Sequence, residues 1–154
     1  MSISSFCKQA IYRFWQFQKA VFPELNQDAW NTAIQSCPQQ LVSVLNQLGK
    51  AEKAHTLRVL KLIKDDVSLE NDYKNQLLDF ALLHDIGKAI TKPSLIFKIA
   101  KVLFKLNGNA HCIEGAKVIW RKTRNLEMAK SVLRHHQKRY SKFISDFQQY
   151  DDQA

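Results

Sequence analysis

The chain has 154 residues, enough for one domain whose hydrophobic core needs no disulfide. It is 45% apolar with only 4 glycines and 3 prolines, which argues against a disordered chain and against a β-sandwich or barrel, since those folds use more turn residues. The net charge of +9 favours anionic partners such as nucleotides, nucleic acid or an acidic membrane surface, with a merely basic protein as the equal alternative.

Two helices are predicted in the N-terminal part of the chain. Apolar and aromatic residues at helical spacing predict the first over residues 5–22, and Pro23 ends it. A shorter helix is predicted to start at Asp28, a good N-cap residue, and to continue through Ile34. Pro38 is expected to close this second helix.

The middle of the chain shows a clearer helical pattern. One amphipathic turn or two is predicted over residues 41–48, followed by a regular helix over 51–64 that carries a histidine. The next predicted helix has its apolar core at residues 77–83. It is expected to end at His84 and Asp85, because the nearby Gly87 is a natural helix stop.

The C-terminal third is also predicted to be helical. A helix over residues 94–106 places Lys98, Lys101 and Lys105 on one side, a pattern that suits a core helix with a solvated face or, alternatively, an anionic surface. Further helices are predicted over 111–122, over 126–136, and in a last polar segment toward Asp151.

These segments predict one structural domain. Residues 1–48 are interpreted as an N-terminal helical extension packed on a main part formed by residues 49–154. The three cysteines are widely spaced and form no C-x-x-C pair, so reduced thiols that pack as small apolar residues in a cytoplasmic protein are expected. No stretch is long and apolar enough to predict a membrane span.

Histidines stand out among the polar residues of the predicted helices. Imidazole nitrogens and carboxylate oxygens together suit divalent transition metals such as Mn, Fe, Co, Ni or Zn. A single buried histidine is more often a hydrogen-bonded core residue. An adjacent His84 and Asp85, however, can both turn toward one metal where a helix breaks. The five histidines are His55, His84, His111, His135 and His136.

The run Leu-Leu-His-Asp-Ile-Gly-Lys at residues 82–88 resembles the HDIGK form of the HD superfamily signature. The chain from about residue 41 to 152 is therefore identified as similar to HDIG-type, metal-dependent phosphohydrolases, and to small stand-alone bacterial HD proteins in particular. The resemblance implies an all-α fold, a single compact multi-helix bundle with the N-terminal extension. After His136 the chain lacks the Glu, Asp-Gly and Gly-Tyr-Pro of the cyclic-di-GMP branch, so that substrate is not favoured.

The resemblance also implies a set of metal ligands. The family orders its ligands as His, His-Asp and Asp, and members that hold two metals add histidines after the central motif. The matching residues here are His55, His84, Asp85, His111, His135, His136 and Asp151. Asp151 is preferred as the closing ligand for its distance beyond His136, while Asp146 and Asp152 stay open as alternatives.

The predicted function is hydrolysis of a phosphoester or phosphoanhydride, preferably of a nucleotide, with one or two divalent ions. Asp85 is the natural bridging ligand, because a carboxylate has two oxygens to share. Lys88 is predicted to contact phosphate as a point charge, and Arg58, three residues after His55, to clamp it through two hydrogen bonds. For both cations, solvation or an ion pair with a ligand carboxylate is the alternative.

Two other functions stay open at this point. One is a non-catalytic module that binds metal and nucleotide without turnover. The other is a regulator that binds nucleic acid or a membrane through the basic surface. A homodimer is a further option that the residues do not decide.

Overall fold

The computed structural model describes residues 23–92, 109–137 and 139–154. Over these residues the chain is all-α with no strand, which confirms the predicted fold class. The predicted helices over 5–22 and 94–106 lie outside the described residues. The helices are α1 (Gln27–Ala33), α2 (Gln39–Leu45), α3 (Lys50–Asp65), α4 (Asn71–Leu83), α5 (Lys88–Thr91), α6 (Ala110–Thr123), α7 (Leu126–Arg134) and α8 (Lys142–Gln153), with a 3₁₀ turn at Ile34–Ser36.

The start of α1 corrects one prediction from the sequence. Asn26, in an extended conformation, is the N-cap, and its Oδ1 accepts a hydrogen bond from the amide of Ala29 at 2.9 Å. Asp28 was expected in that role but lies inside the first turn. Its charge there is still favourable, because the N-terminus of a helix carries partial positive charge.

Helix α4 lies at the centre of the described bundle and packs against α3, α7 and α8. Most of its predicted apolar core is buried (Leu77, Phe80, Ala81, Leu82 and Leu83), whereas Leu78 is partly buried. The Phe80 ring meets the Phe147 ring of α8 edge to face, with 4.6 Å between centroids. No helix in the described ranges is long and apolar enough to cross a membrane.

The described part of the predicted N-terminal extension belongs to the same core. Trp30, Leu41 and Leu45 are fully buried in one cluster with residues of α3, α4 and α8. The indole Nε1 of Trp30 donates to Oδ1 of Asn46 at 3.2 Å, so its polar atom is satisfied as well. The boundary at residue 49 stays a prediction.

The turn after α4 packs directly onto α6 through two glycines. Gly87 has φ −66° and ψ −18°, an ordinary right-handed conformation, so it does not stop the helix by unusual backbone geometry as expected. Instead, a Cβ atom at Gly87 would lie only 1.8 Å from the carbonyl oxygen of His111 and 2.6 Å from the amide of Gly115. Gly87 is needed because the two backbones touch.

Helices α6 and α7 form a hairpin that brings their histidines together. Only Arg124 and Asn125 separate the two helices, and so short a connection makes neighbouring helices antiparallel. The start of α6 and the end of α7 therefore lie side by side, and the rings of His111 and His135 are 5.4 Å apart. The α6–α7 hairpin thus builds one half of the site described next.

Candidate metal centre

Three helices contribute to a first group of donor atoms. His55 lies on α3, His84 follows the last residue of α4, and Asp151 lies on α8. The Oδ1 of Asp151 is 2.8 Å from Nε2 of His55 and 3.5 Å from Nε2 of His84. Their ligand atoms all lie within 4.8 Å of one another, a spacing that one metal ion can bridge. We call His55, His84 and Asp151 the first group.

The α6–α7 hairpin supplies a second group. His111 and Cys112 begin α6, while His135 and His136 follow α7, and their ligand atoms also lie within 4.8 Å of one another. The Nε2 atoms of His111 and His136 are 3.1 Å apart. His136 is exposed and the other three are buried, so this second group reaches the surface at His136.

Asp85 lies between the two groups. Its Oδ2 is 3.4 Å from Nε2 of His84 in the first group, and its Oδ1 is 3.5 Å from Nε2 of His111 in the second. The residue is 3% exposed, so water does not replace these contacts. One buried carboxylate thus presents one oxygen to each group.

Two of the histidines are oriented by the same local device. Nδ1 of His84 lies 2.7 Å from the carbonyl of Ala81, and Nδ1 of His135 lies 2.7 Å from the carbonyl of Val132. Each Nδ1 carries the proton and donates it to a backbone carbonyl in the last turn of a helix. The opposite nitrogen, Nε2, then points into the site, which is how ligand histidines are usually fixed. At His135 it keeps its lone pair, and at His84 a metal would replace the proton that the nearby carboxylates favour there.

The charges in the site favour ionised carboxylates. Burial works against ionisation of Asp85, but Lys88, His84 and His111 outweigh it and hold the pKa of its carboxyl well below its usual value. Burial likewise opposes ionisation of Asp151, yet the contacts with His55 and His84 lower the pKa of that carboxyl. Both carboxylates are therefore negative at neutral pH.

His84 and His135 differ in protonation. Burial alone lowers the pKa of His84, but the carboxylates of Asp85 and Asp151 raise it to about 10. Burial, together with the charges of His84 and His136, lowers the pKa of His135 to about 3. The carboxylates of Asp85 and Asp151 thus favour positive charge at the first group. In the second group, His135 is a neutral imidazole at neutral pH.

The donor set fits a divalent transition metal. Nε2 of His84, Nε2 of His135 and Oδ1 of Asp85 are buried and have no hydrogen-bond partner among the described residues. Buried polar atoms without partners are costly, and cations bound at the two groups would satisfy all three. Mixed imidazole and carboxylate donors suit Mn, Fe, Co, Ni and Zn better than Mg or Ca.

Of the three candidate closing aspartates, the structure brings Asp151 to the site. Asp146 lies on the same helix, but its Oδ2 accepts a hydrogen bond from the hydroxyl of Tyr73 at 2.7 Å. Asp152 is exposed. Adjacent side chains of a helix point about 100° apart, so α8 can direct only one of the neighbouring pair inward.

The two predicted phosphate contacts already have partners in the chain. Nζ of Lys88 lies 2.5 Å from Oδ2 of Asp85, the ion pair that the sequence left as an alternative. Burial alone lowers the pKa of Lys88, but Asp85 and other nearby carboxylates raise it, so the ammonium stays charged. Arg58 follows His55 by one turn of α3, and its Nε donates to the carbonyl of Ala154 at 2.6 Å.

Two residues beside the site were not singled out from the sequence. Cys112 was interpreted as a packing residue, although its thiol belongs to the second group. Glu52 is 8% exposed, and its carboxylate helps to raise the pKa of Lys88. Glu52 precedes His55 by three residues in one helix, so a shared helix face is the signal that could have revealed it.

Imidazoles and carboxylates from several helices of the bundle meet at a buried centre. This arrangement is typical of metal-binding helical proteins. The chain matches the family model of the HD domain over residues 53–151, a range that contains every residue of both groups and Asp85. The chain therefore belongs to the HD-domain family. Comparison with curated proteins and with solved structures finds no match.

Proposed function

We propose that this protein is a metal-dependent hydrolase that cleaves a phosphoester or phosphoanhydride bond, with nucleotides as the preferred substrate class. The observation that carries the proposal is the position of Asp85, whose two oxygens lie within 3.5 Å of donor atoms in both groups. A carboxylate shared in this way is what a two-metal hydrolytic site requires. Membership of the HD-domain family supports the same reaction class.

Each group would hold one divalent ion. His55, His84 and Asp151 are the protein ligands of the first, and the α6–α7 hairpin supplies those of the second. When bound, such ions lower the pKa of a coordinated water and offset negative charge on a phosphoryl group. Asp85 holds the two positions in a fixed relation, because it is buried at the turn that Gly87 packs against α6.

Lys88 is placed to bind the phosphate of the substrate. Its side chain is 27% exposed, whereas that of Asp85 is 4% exposed, so the ammonium lies on the solvent side of the carboxylate. A phosphate oxygen arriving from solvent can accept a hydrogen bond from it. The net charge of +9 draws anionic substrates toward the protein in general. Arg58 is a second phosphate contact in this proposal, through the guanidinium nitrogens other than Nε.

One contact favours a second candidate function, a module that binds metal and nucleotide without turnover. The ammonium of Lys88 pairs with the same Oδ2 atom of Asp85 that faces His84. An ammonium in that position competes with a metal ion for the carboxylate. A stable pair would leave the site able to bind a ligand and unable to bridge two ions.

The proposal is tested by assaying the purified chain with Mn²⁺, Fe²⁺ or Co²⁺ against phosphomonoesters, phosphodiesters and dinucleotides. We expect phosphate or nucleotide release by the wild-type chain, and loss of at least about 100-fold in Asp85→Ala with unchanged helical circular dichroism. Asp146→Asn is the matched control, because Asp146 is a carboxylate bonded to Tyr73 away from the donor groups. Nucleotide binding without release would support the non-catalytic module. Equal activity in wild type and Asp85→Ala would refute both the assignment and the role of Asp85.

A further inference from the structure

The second group contains a sulfur donor, Cys112, beside its three histidines. The thiol of Cys112 lies 3.5 Å from Nε2 of His111, and its ligand atom is within 4.8 Å of those of His135 and His136. The residue is 1% exposed. A cysteine that served only to fill the core would not need to place its sulfur among three imidazole nitrogens.

The distances agree with a tetrahedral metal site. Zinc bonds nitrogen at about 2.0–2.1 Å and thiolate sulfur at about 2.3 Å, which places neighbouring ligand atoms of a tetrahedron about 3.3–3.6 Å apart. The sulfur of Cys112 is 3.5 Å from Nε2 of His111, and the Nε2 atoms of His111 and His136 are 3.1 Å apart. These two distances between ligand atoms are thus already close to those expected around a bound zinc ion.

A separate observation at His135 points to a ligand in the same place. His135 is 0% exposed, and its Nε2 has no hydrogen-bond partner among the described residues. Its other nitrogen is bonded to the carbonyl of Val132, so the ring cannot turn Nε2 elsewhere without losing that bond. A buried lone pair directed into a group that also contains a sulfur is the arrangement that a metal would satisfy.

The backbone around Cys112 also suits a thiolate. Cys112 lies in the first turn of α6, whose N-cap is Asn109. Amide groups at the N-terminus of a helix carry partial positive charge and stabilise a nearby negative sulfur. A bound divalent metal then removes the thiol proton outright.

We propose that Cys112 is a metal ligand, and that together with His111, His135 and His136 it forms a closed Cys-His₃ site that prefers zinc. The inference rests on the proposed metal centre and makes its two halves unequal. Four protein ligands fill a tetrahedral zinc ion, as in structural sites, and Oδ1 of Asp85, 3.5 Å from Nε2 of His111, can add a fifth donor. The first group has three ligands of its own, His55, His84 and Asp151, beside the other oxygen of Asp85, so a six-coordinate ion there would keep positions for water. The firmly held ion belongs to the second group and the exchangeable ion to the first.

The experiment is zinc K-edge X-ray absorption on the full chain loaded with one and then two equivalents of zinc. We expect one sulfur neighbour at about 2.3 Å beside nitrogen neighbours in the one-equivalent sample, and half that sulfur amplitude per zinc at two equivalents. In Cys112→Ser the sulfur neighbour should disappear and zinc affinity should fall at least tenfold. Cys37→Ser is the matched control, because Cys37 lies outside both donor groups, and it should behave as wild type.

Several outcomes would overturn the inference. Only nitrogen and oxygen neighbours in the wild-type chain at both loadings would exclude a thiolate ligand, and this result does not depend on whether Cys112→Ser folds. A sulfur neighbour that persists in Cys112→Ser would assign the ligand to another cysteine. Hydrolysis without a sulfur neighbour would refute the Cys112 site and retain the proposed function. A sulfur neighbour without hydrolysis would support the Cys112 site and refute the proposed function.

Discussion

His84 and His135 each cap the C-terminal end of a helix with a side-chain hydrogen bond. The last carbonyls of a helix have no partner within it, and in both cases the histidine that follows the last helical residue donates Nδ1–H to the carbonyl three residues earlier. The bond that ends the helix therefore also directs Nε2 into the site. Local structure and ligand orientation are set by one hydrogen bond at each position.

Lys88 gives a prediction that separates metal binding from turnover. The ammonium competes with cations for Oδ2 of Asp85, so Lys88→Ala should leave metal affinity equal or higher. Under the proposed function the same change removes a charged hydrogen bond to phosphate, which is worth about 1.5–3 kcal/mol, so turnover should fall roughly 10- to 100-fold. Calorimetric metal titration and steady-state kinetics on one preparation measure the two effects. A parallel loss of metal affinity and turnover would show that Lys88 supports the site instead of contacting substrate.

Asp66 gives a prediction about pH. Hydrogen bonds from Ser68 and from the hydroxyl of Tyr150 lower the pKa of Asp66 to about 2, below its ordinary 3.8. Because the folded-state pKa is depressed, this contribution to stability is complete above about pH 4 and is lost as the pH falls toward 2. Asp66→Asn should therefore lower the free energy of unfolding at neutral pH, with the difference from wild type shrinking between pH 4 and pH 2.

Denaturant unfolding at several pH values measures this difference. Asp65→Asn is the matched control, since Asp65 is an exposed neighbour that pairs with Lys61 on the same helix. An Asp66→Asn difference that stayed constant between pH 4 and pH 2 would contradict the role of the ionised carboxylate.

At the scale of elements, the contact between the turn after α4 and α6 decides how the two donor groups face each other. Gly87 contacts the backbone of His111, and Gly115, one turn along α6, lies beside Ile86 and Val132. The two glycines let the segment that carries Asp85 touch the helix that carries His111. The spacing between the groups depends on this contact.

Replacing these glycines by alanine should produce a graded loss of stability. A Cβ at Gly87 would lie 1.8 Å from a carbonyl oxygen, so the backbone must move, and Gly87→Ala should cost about 2–3 kcal/mol. Gly115→Ala meets Val132 at 3.0 Å and should cost less. Gly49→Ala meets only the movable end of Glu52 and should cost least. Denaturant unfolding measures the order, and a Gly49 variant less stable than the Gly87 variant would contradict it.

The helices themselves were largely predictable, because apolar residues at helical spacing dominate the chain and few glycines or prolines interrupt it. The errors have local causes. Asp28 and Asn26 are both good N-cap residues two positions apart, and only the backbone conformation of Asn26 decides between them. The sequence marks Gly87 as special, but the reason is contact with α6, which no local pattern contains.

At the scale of the whole molecule, the donor atoms come from widely separated parts of the chain. His55 and Asp151 are 96 residues apart, yet their side chains are 2.8 Å apart. Resemblance to a family indicated which residues to consider, but spacing alone does not reveal which of three aspartates reaches the centre. The sequence does not predict Cys112 as a donor, because a lone cysteine has no motif. Its place in the group depends on His135 and His136, which follow the other helix of the hairpin.

The central claim is that two donor groups joined at Asp85 each hold a divalent ion, and calorimetric titration of metal-stripped protein with Co²⁺ tests it most directly. We predict two ions per chain for the wild type. Asp151→Asn should weaken one of the two sites by at least about 100-fold, and Asp146→Asn on the same helix should leave both unchanged. Fewer than two ions bound by the wild-type chain, or equal losses in the two variants, would contradict the account.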